Sequence, residues 1–248
     1  GFKFDCGPTV ITAPFLFNEL FELAGKKSED YFTLKALDPF YRIFNHNGEY
    51  FDYNSNTDFT LSQIDKFSPK DKQGYLKFIK TTKAIFQKGF VELADKPFEK
   101  FSDMMKIVPD MLKLRSYKTV YQYTSSFIKN DFLRQCFSFH PLLVGGNPFD
   151  TTSIYALIHY LEREWGIHYA MGGTGSIVNG LVKLFRELGG KIHYNAEIKE
   201  ITVKDRKVSG IKLNDREGTF IQADSIISNA DVAFTYRSMI PEMYRKKY

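Results

Sequence analysis

The sequence predicts a mixed α/β chain in which helices alternate with short strands, and three observations carry that prediction. After the glycine-rich turn Gly172–Gly175, apolar residues at Ile177, Leu181, Leu184, Phe185 and Leu188 follow helical spacing. Short β-branched runs come next, with Ile192, Ile198, Ile201, Val203, Val208, Ile211 and Leu213. Ser225–Ser228 then reads as a buried strand whose carboxyl end runs into Asn229, Ala230 and Asp231. Small and polar residues at such a strand end are where α/β sheets bind ligands. Ser176 is expected to cap the helix and Gly189 to end it. The same stretch also reads as a helix packed on a β-meander with no ligand.

Taken in order, Gly1–Thr12 reads as the end of a strand followed by a Gly7-Pro8 turn. Pro14 is suited to open a helix carrying Leu16, Leu20 and Leu23, which Gly25 would end. Leu34–Tyr53 contains a hairpin: Phe40–Phe44, the Asn47-Gly48 turn signal, and Tyr50–Tyr53. Ser68 as cap and Pro69 in the first turn predict a long helix to about Ala94, with Tyr75, Phe78, Ile79, Ile85 and Phe86 as its stripe.

From Phe98 to Phe132 the chain mixes Phe98, Phe101, Met104, Met105, Ile107, Val108, Met111, Leu112 and Leu114 with Lys100, Lys106, Lys113, Arg115 and Lys118. Pro109 is expected to end or kink the first helix there. Short helices of this composition fit an in-plane membrane contact; they equally fit a helical cap whose lysines face water. Asn130–Phe149 reads as a helix, then a rigid apolar loop broken by Pro141, Gly145, Gly146 and Pro148. Thr151–Trp165 predicts a further helix with Ile154, Leu157, Ile158 and Leu161 on one face.

Composition narrows the classes. At 248 residues, 43% of them hydrophobic, the chain can bury a substantial core. Aromatic content is 16%, with 24 Phe and 15 Tyr, which suits a large apolar ligand, a membrane contact or simply a core. The net charge of +5 is spread along the chain without a dense block. That argues against nucleic acid and leaves an anionic membrane surface open. Two cysteines make neither a disulfide framework nor a metal set, and a reducing compartment is the default. His140, His159 and His168 are scattered in sequence without metal-ligand spacing, so they read as surface or core residues and no metal is expected. No apolar run is long enough for a membrane span, and no signal peptide is visible.

Three strings resemble one known family. FDCGPTVITAP at Phe4–Pro14 is similar to the segment after the N-terminal dinucleotide fingerprint of bacterial-type phytoene desaturases, within the amine-oxidase-like flavoproteins. FSFHPLLVGGNPF, SIYALIHYLEREWG and GGTGS, at Phe137–Phe149, Ser153–Gly166 and Gly172–Ser176, resemble the same enzymes. The NAEI turn at Asn195–Ile198 and SNAD at Ser228–Asp231 look like the second half of their FAD domain. The order and spacing run from Gly1 to Ile240. The family's G-x-G-x-x-G loop and G-G-R turn are not in this sequence, and both ends read as cut. The expectation is therefore a middle fragment that binds FAD weakly or not at all.

The resemblance implies an α+β substrate domain over residues 31–165, a mixed sheet with a helical, membrane-contacting cap. Against it would sit a partial Rossmann-like FAD domain from residues 1–30 and 166–248, lacking the dinucleotide loop. It implies FAD-dependent removal of hydride and proton from a long polyene in carotenoid biosynthesis, at the inner face of the cell membrane. Isomerising, oxygenating and saturating relatives remain open, as does a non-enzymatic module binding apolar ligands or a membrane surface. By the resemblance, Gly7, Pro8, Thr9 and Val10 lie beside the flavin, Ile198 on the adenine side, and Asn229 and Ala230 in the loop near the ring. Asp103 and Lys106, at i and i+3, share a helix face and match an Asp–Arg pair with a suggested acid–base role. Lysine lacks the planar fork of arginine, and Asp103 equally suits a helix N-terminus.

Overall fold

The computed structural model describes residues 1–2, 4–93, 96–97 and 100–245. Ala94, the expected end of the long helix, Phe98, and residues 246–248 of the charged close lie outside the described residues. Two compact units make up the chain, Gly1–Leu188 and Gly189–Tyr248.

In the first unit, residues 1–12 form no strand among those described. Ile11 makes only an isolated bridge, its N–H 3.0 Å from the His168 carbonyl oxygen. Helix α1 (Pro14–Leu23) starts at its proline as expected, and Gly25 follows it at φ +67°. Its inward face differs from the sequence reading. Leu16, Leu20 and Leu23 are exposed, whereas Phe21 is fully buried against Phe32, Ala170, Ile177 and Leu184. The aromatic side chain offers more area to bury than a leucine, and it takes the core side.

Strands β1 (Leu34–Ala36), β2 (Tyr41–Phe44) and β3 (Tyr50–Tyr53) follow, with β2 and β3 joined through Asn47-Gly48 as the turn signal predicts. Helix α2 (Thr57–Phe67), absent from the sequence reading, is capped by Asn56, whose side chain accepts the Phe59 N–H at 2.9 Å. Pro69 opens a 3-10 turn rather than the helix itself, and Ser68 makes no side-chain cap. Helix α3 (Lys72–Phe86) buries Tyr75, Phe78, Ile85 and Phe86 and continues as a π-helical turn over Gln87–Glu92. Asp71, just before α3, is almost wholly buried. Its two carboxylate oxygens accept the Lys129 and Asn130 N–H groups, each at 2.8 Å.

Helix α4 (Phe101–Lys113) continues past Pro109, so the proline does not end it. No residue of α4 is buried, so water can take up the carbonyl that loses its amide partner. Then come α5 (Val120–Ser125), α6 (Asp131–Cys136) and a 3-10 segment, His140–Val144. The helix expected from Thr151 begins as a 3-10 turn, Ser153–Ala156, before α7 (Leu157–Trp165). Strand β4 (His168–Ala170) returns to pair antiparallel with β1. Helix α8 (Gly175–Glu187) has no side-chain cap: the Ser176 hydroxyl donates back to the Gly173 carbonyl at 2.8 Å. Gly189, at φ +87°, follows its end as predicted. The core is aromatic, with Phe51, Tyr53, Tyr75, Phe78 and Phe137 buried together. The Cys136 thiol is buried beside them, and burial pushes its pKa up to about 12.

The second unit is a meander of β5 (Ile198–Lys204), β6 (Lys207–Leu213) and β7 (Phe220–Gln222). Asp205 and Arg206 both take positive φ, which makes the two-residue turn between β5 and β6. Ile192 precedes the strand rather than joining it. Ser225–Ser228 is not a strand, and Ile227 is 97% exposed; two isoleucines with no ladder partner in this unit do not make one. Asp231 caps the short α9 (Val232–Phe234) through the Phe234 N–H at 2.7 Å. Every strand pairing among the described residues is antiparallel, so in place of the mixed sheet expected over 31–165 there are the β2–β3 hairpin and a pairing of β1 with β4, which lies beyond residue 165.

Gly74 lies where α3 meets the segment after α5. A Cβ there would run into the Phe127 carbonyl oxygen, whereas at Gly89 it would meet Leu157 Cδ2 at an ordinary 3.4 Å. Gly74→Ala is expected to cost about 1–3 kcal/mol and Gly89→Ala less. Denaturant midpoints of the two variants check that order.

Candidate active site

The Gly7–Val10 turn is held open by Gly7 at φ +97°, a conformation that side chains with a Cβ seldom adopt. Together with Leu143 and Val144 from the 3-10 segment and Ile158 from α7, it lines a cavity of about 460 Å³. The lining is aliphatic apart from Thr9, Thr12 and the backbone.

The two elements of that wall are tied together by a polar cluster inside the aromatic core. Glu162 on α7 is fully buried. Its Oε1 accepts the Tyr41 hydroxyl at 2.7 Å, and its Oε2 lies 3.0 Å from His140 Nε2, at the head of the 3-10 segment. His159 stands against His140 with ring centroids 4.0 Å apart. Its Nε2 faces the Phe137 carbonyl at 2.9 Å. A carbonyl can only accept, so this nitrogen carries the proton and Nδ1 is left as the acceptor facing the Tyr53 hydroxyl at 3.4 Å. Burial, with His140 adding to it, holds His159 well below the usual imidazole range, so it stays neutral. Burial and the neighbouring Glu162 raise the Tyr41 hydroxyl far above its ordinary value, which keeps it a donor. His140 Nδ1 is buried without a partner among the described residues.

Two of the histidines that are scattered in sequence, His140 and His159, are core residues, one of the two readings given them, and here they come together. His140, His159 and Glu162 bring three metal-type donors within 4.8 Å of one another. Most of their atoms are already committed to the hydrogen bonds above. The signal available in sequence was the i, i+3 spacing of His159 and Glu162, which faces both side chains the same way on a helix.

Asp103 and Lys106 do meet, Nζ to Oδ1 at 3.0 Å, with Lys106 largely exposed. Asp103 Oδ2 also accepts the Lys100 N–H at 3.2 Å, the backbone half of a capping box. The Lys106 bond, then the Lys100 amide, hold the Asp103 carboxyl below the usual carboxylate range. Beneath α4, Met104, Ile107, Met111 and Leu114 face Ile85, Gly89, Leu93 and Ile154 around a second cavity, of about 350 Å³. Lys88 lies at its edge, bonded to Asp110 at 2.6 Å and Glu92 at 2.7 Å.

In the second unit, Ile198 opens β5, half-buried and opposite Leu213. Asn229 and Ala230 are exposed in the loop between β7 and α9. That loop is anchored by the Asp231 cap and by the Ser228 and Thr235 hydroxyls, 2.9 Å apart.

Residues 1–234 match the model of the flavin-containing amine oxidoreductases. The chain belongs to that family. It is 48% identical to a lycopene-forming phytoene desaturase from Pseudescherichia vulneris over 97% of its length, covering 48% of that protein. With the lycopene-forming enzyme of Pantoea ananas the identity is 44%, over 98% of this chain and 49% of the other. With that of a Paracoccus strain it is 43%, over 97% and 48%. The chain thus spans about half the length of the curated relatives it matches.

For a member of a flavin-containing family, the Gly7–Val10 turn is a fitting neighbour for the cofactor. Gly7 carries no side chain, and a Cβ built there meets nothing within 4 Å, so the backbone of the turn is open to a planar ring whose polar edge it can meet. Glycine-loop phosphate chemistry is not supplied by residues on this wall. Among the described residues, no helix of the chain is long and apolar enough to cross a membrane.

The Glu162 contacts make a stability prediction. Glu162→Leu leaves the Tyr41 hydroxyl and His140 Nε2 unpaired in the core and is expected to cost about 3–5 kcal/mol. Glu162→Gln keeps the bond from Tyr41 and should cost about 1–3 kcal/mol. Equilibrium unfolding of both variants measures the difference.

Proposed function

We propose that the whole protein is an FAD-dependent desaturase of linear polyenes, phytoene among them. The observation that carries this reading is the identity to phytoene desaturases along almost the entire chain. The aliphatic cavity at the Gly7–Val10 turn supports it, since a hydrocarbon substrate has no polar handle and is held by shape and apolar contact. Residues 1–30 and 166–248 would serve a Rossmann-like flavin part and residues 31–165 the substrate. Gly7, Pro8, Thr9 and Val10 would lie beside the flavin ring, and Ile198, Asn229 and Ala230 are the cofactor-binding residues proposed within the second unit.

Bound FAD would supply the oxidant, taking up the hydride that leaves one substrate carbon. A proton must leave the neighbouring carbon for the double bond to form. Asp103 is the proposed acceptor, with Lys106 holding it ionised. In support, Asp103 stands one turn before Ile107 and two before Met111 on α4, whose side chains line the apolar cavity. The outer stripe of α4, with Phe101, Met105 and Leu112 exposed alongside Lys106 and Lys113, is the proposed contact with a membrane surface from which a polyene is drawn.

Full-length protein mixed with phytoene in liposomes and FAD, without oxygen, tests the reading. Bleaching of the flavin together with a red-shifted polyene spectrum is expected; an unchanged flavin with phytoene taken up would sink it. In the same assay Asp103→Asn should lower kcat tenfold or more at unchanged flavin content. Because the carboxyl is held low, the wild-type rate should stay flat from neutrality down to about pH 5. An unaltered kcat in the variant would leave Asp103 as a helix cap alone.

A further inference from the structure

The two apolar cavities of the first unit each take one residue of the same short stretch into their lining. Ile154, in the 3-10 turn before α7, lines the cavity beneath α4, and Ile158, on α7, lines the cavity at the Gly7–Val10 turn. Four residues of mixed 3-10 and α geometry separate them by about 6–8 Å along the axis. Leu157 sits between the two and packs toward Gly89, whose missing side chain brings the π-helical turn close to this stretch. Neither space, at about 460 and 350 Å³, is large for an extended polyene, and Ile154 and Ile158, one turn apart, border one each.

Among the described residues, Lys88 is the only cation lining the cavity beneath α4, and it is matched by carboxylates of Asp110 and Glu92. These bonds, Asp110 first, raise its pKa, so the ion pairs persist at neutral pH. The π-helical turn and α4 are thereby pinned across the edge of an apolar space. Met104 and Met111 add unbranched, adaptable side chains to its far wall.

We propose that the cavity beneath α4 receives the end of the linear polyene that lies past the bond reacting beside Asp103, and that Met111 limits the chain length accepted. The inference rests on the polyene reading above. A chain too short to pass Ile154 would not reach Met111, whereas a long one would end against it. Substituting a larger side chain therefore penalises long substrates selectively, and a smaller one relaxes the limit.

The test uses full-length holoenzyme, phytoene, and a polyene two isoprene units shorter. Met111→Trp is expected to weaken phytoene tenfold or more relative to the shorter polyene, chiefly in KM, with flavin content unchanged. Met111→Ala should move that ratio the other way, which serves if the tryptophan variant fails to fold. Affinities from direct titration of each polyene into the holoenzyme give the same ratio without turnover. Equal losses for both polyenes, or no change in the ratio for either variant, would overturn the subsite. Wild-type holoenzyme that binds both polyenes but oxidises neither would instead sink the desaturase reading, and the binding ratio would still decide the subsite.

Discussion

A single buried carboxylate organises the first unit. Glu162 takes a hydrogen bond from Tyr41 on β2 and lies against His140 at the head of the 3-10 segment. Three elements distant in sequence are thus fixed by one side chain on α7. Taking a carboxylate out of water is costly, and the cost is met only when its oxygens are fully engaged. The surrounding aromatic rings keep water away, so the geometry cannot be relaxed by solvent. The consequence is directional: Ile158, one turn before Glu162 on the same side of α7, and the 3-10 segment, with Leu143 and Val144, are set in fixed relation around the first cavity.

Asp71 does comparable work on the other side of the core. Its two oxygens hold consecutive backbone N–H groups at Lys129 and Asn130, and Asn130 in turn caps α6 through the Leu133 N–H. The start of α3 and the start of α6 are therefore fixed by one chain of charge-assisted and capping bonds. Arg163 closes the ring from α7, donating to the Tyr75 and Thr57 hydroxyls. Polar groups, rather than apolar volume alone, decide which helix sits where.

Much of the fold was legible wherever local chemistry dominates. The Asn47-Gly48 hairpin, the Pro14 helix start and the Gly189 helix end each depend on a few neighbouring residues, and each stands in the structure. What could not be read depends on long-range partners. The inward face of α1 was set by Phe21 meeting Phe32 and Ile177, not by its leucines. Pro109 failed to break α4 because that helix lies open to water. Ser225–Ser228 looks like a strand by composition, yet a strand is made by a neighbour's ladder. For the candidate site, the Gly7–Val10 turn and the Asp103–Lys106 pair were visible as strings and spacing. The His140, His159 and Glu162 cluster was not, because its first member lies two elements away from the others along the chain.

The two cysteines differ in a way that has a practical meaning. Cys136 is sealed in the core with its thiol pushed up to about 12, so almost none of it is thiolate at neutral pH. Cys6 is exposed and immediately precedes the Gly7 turn that lines the first cavity. Within this chain a thiol reagent therefore has one address. A fluorophore attached there would report the filling of that cavity from its rim, with no cysteine removed or introduced.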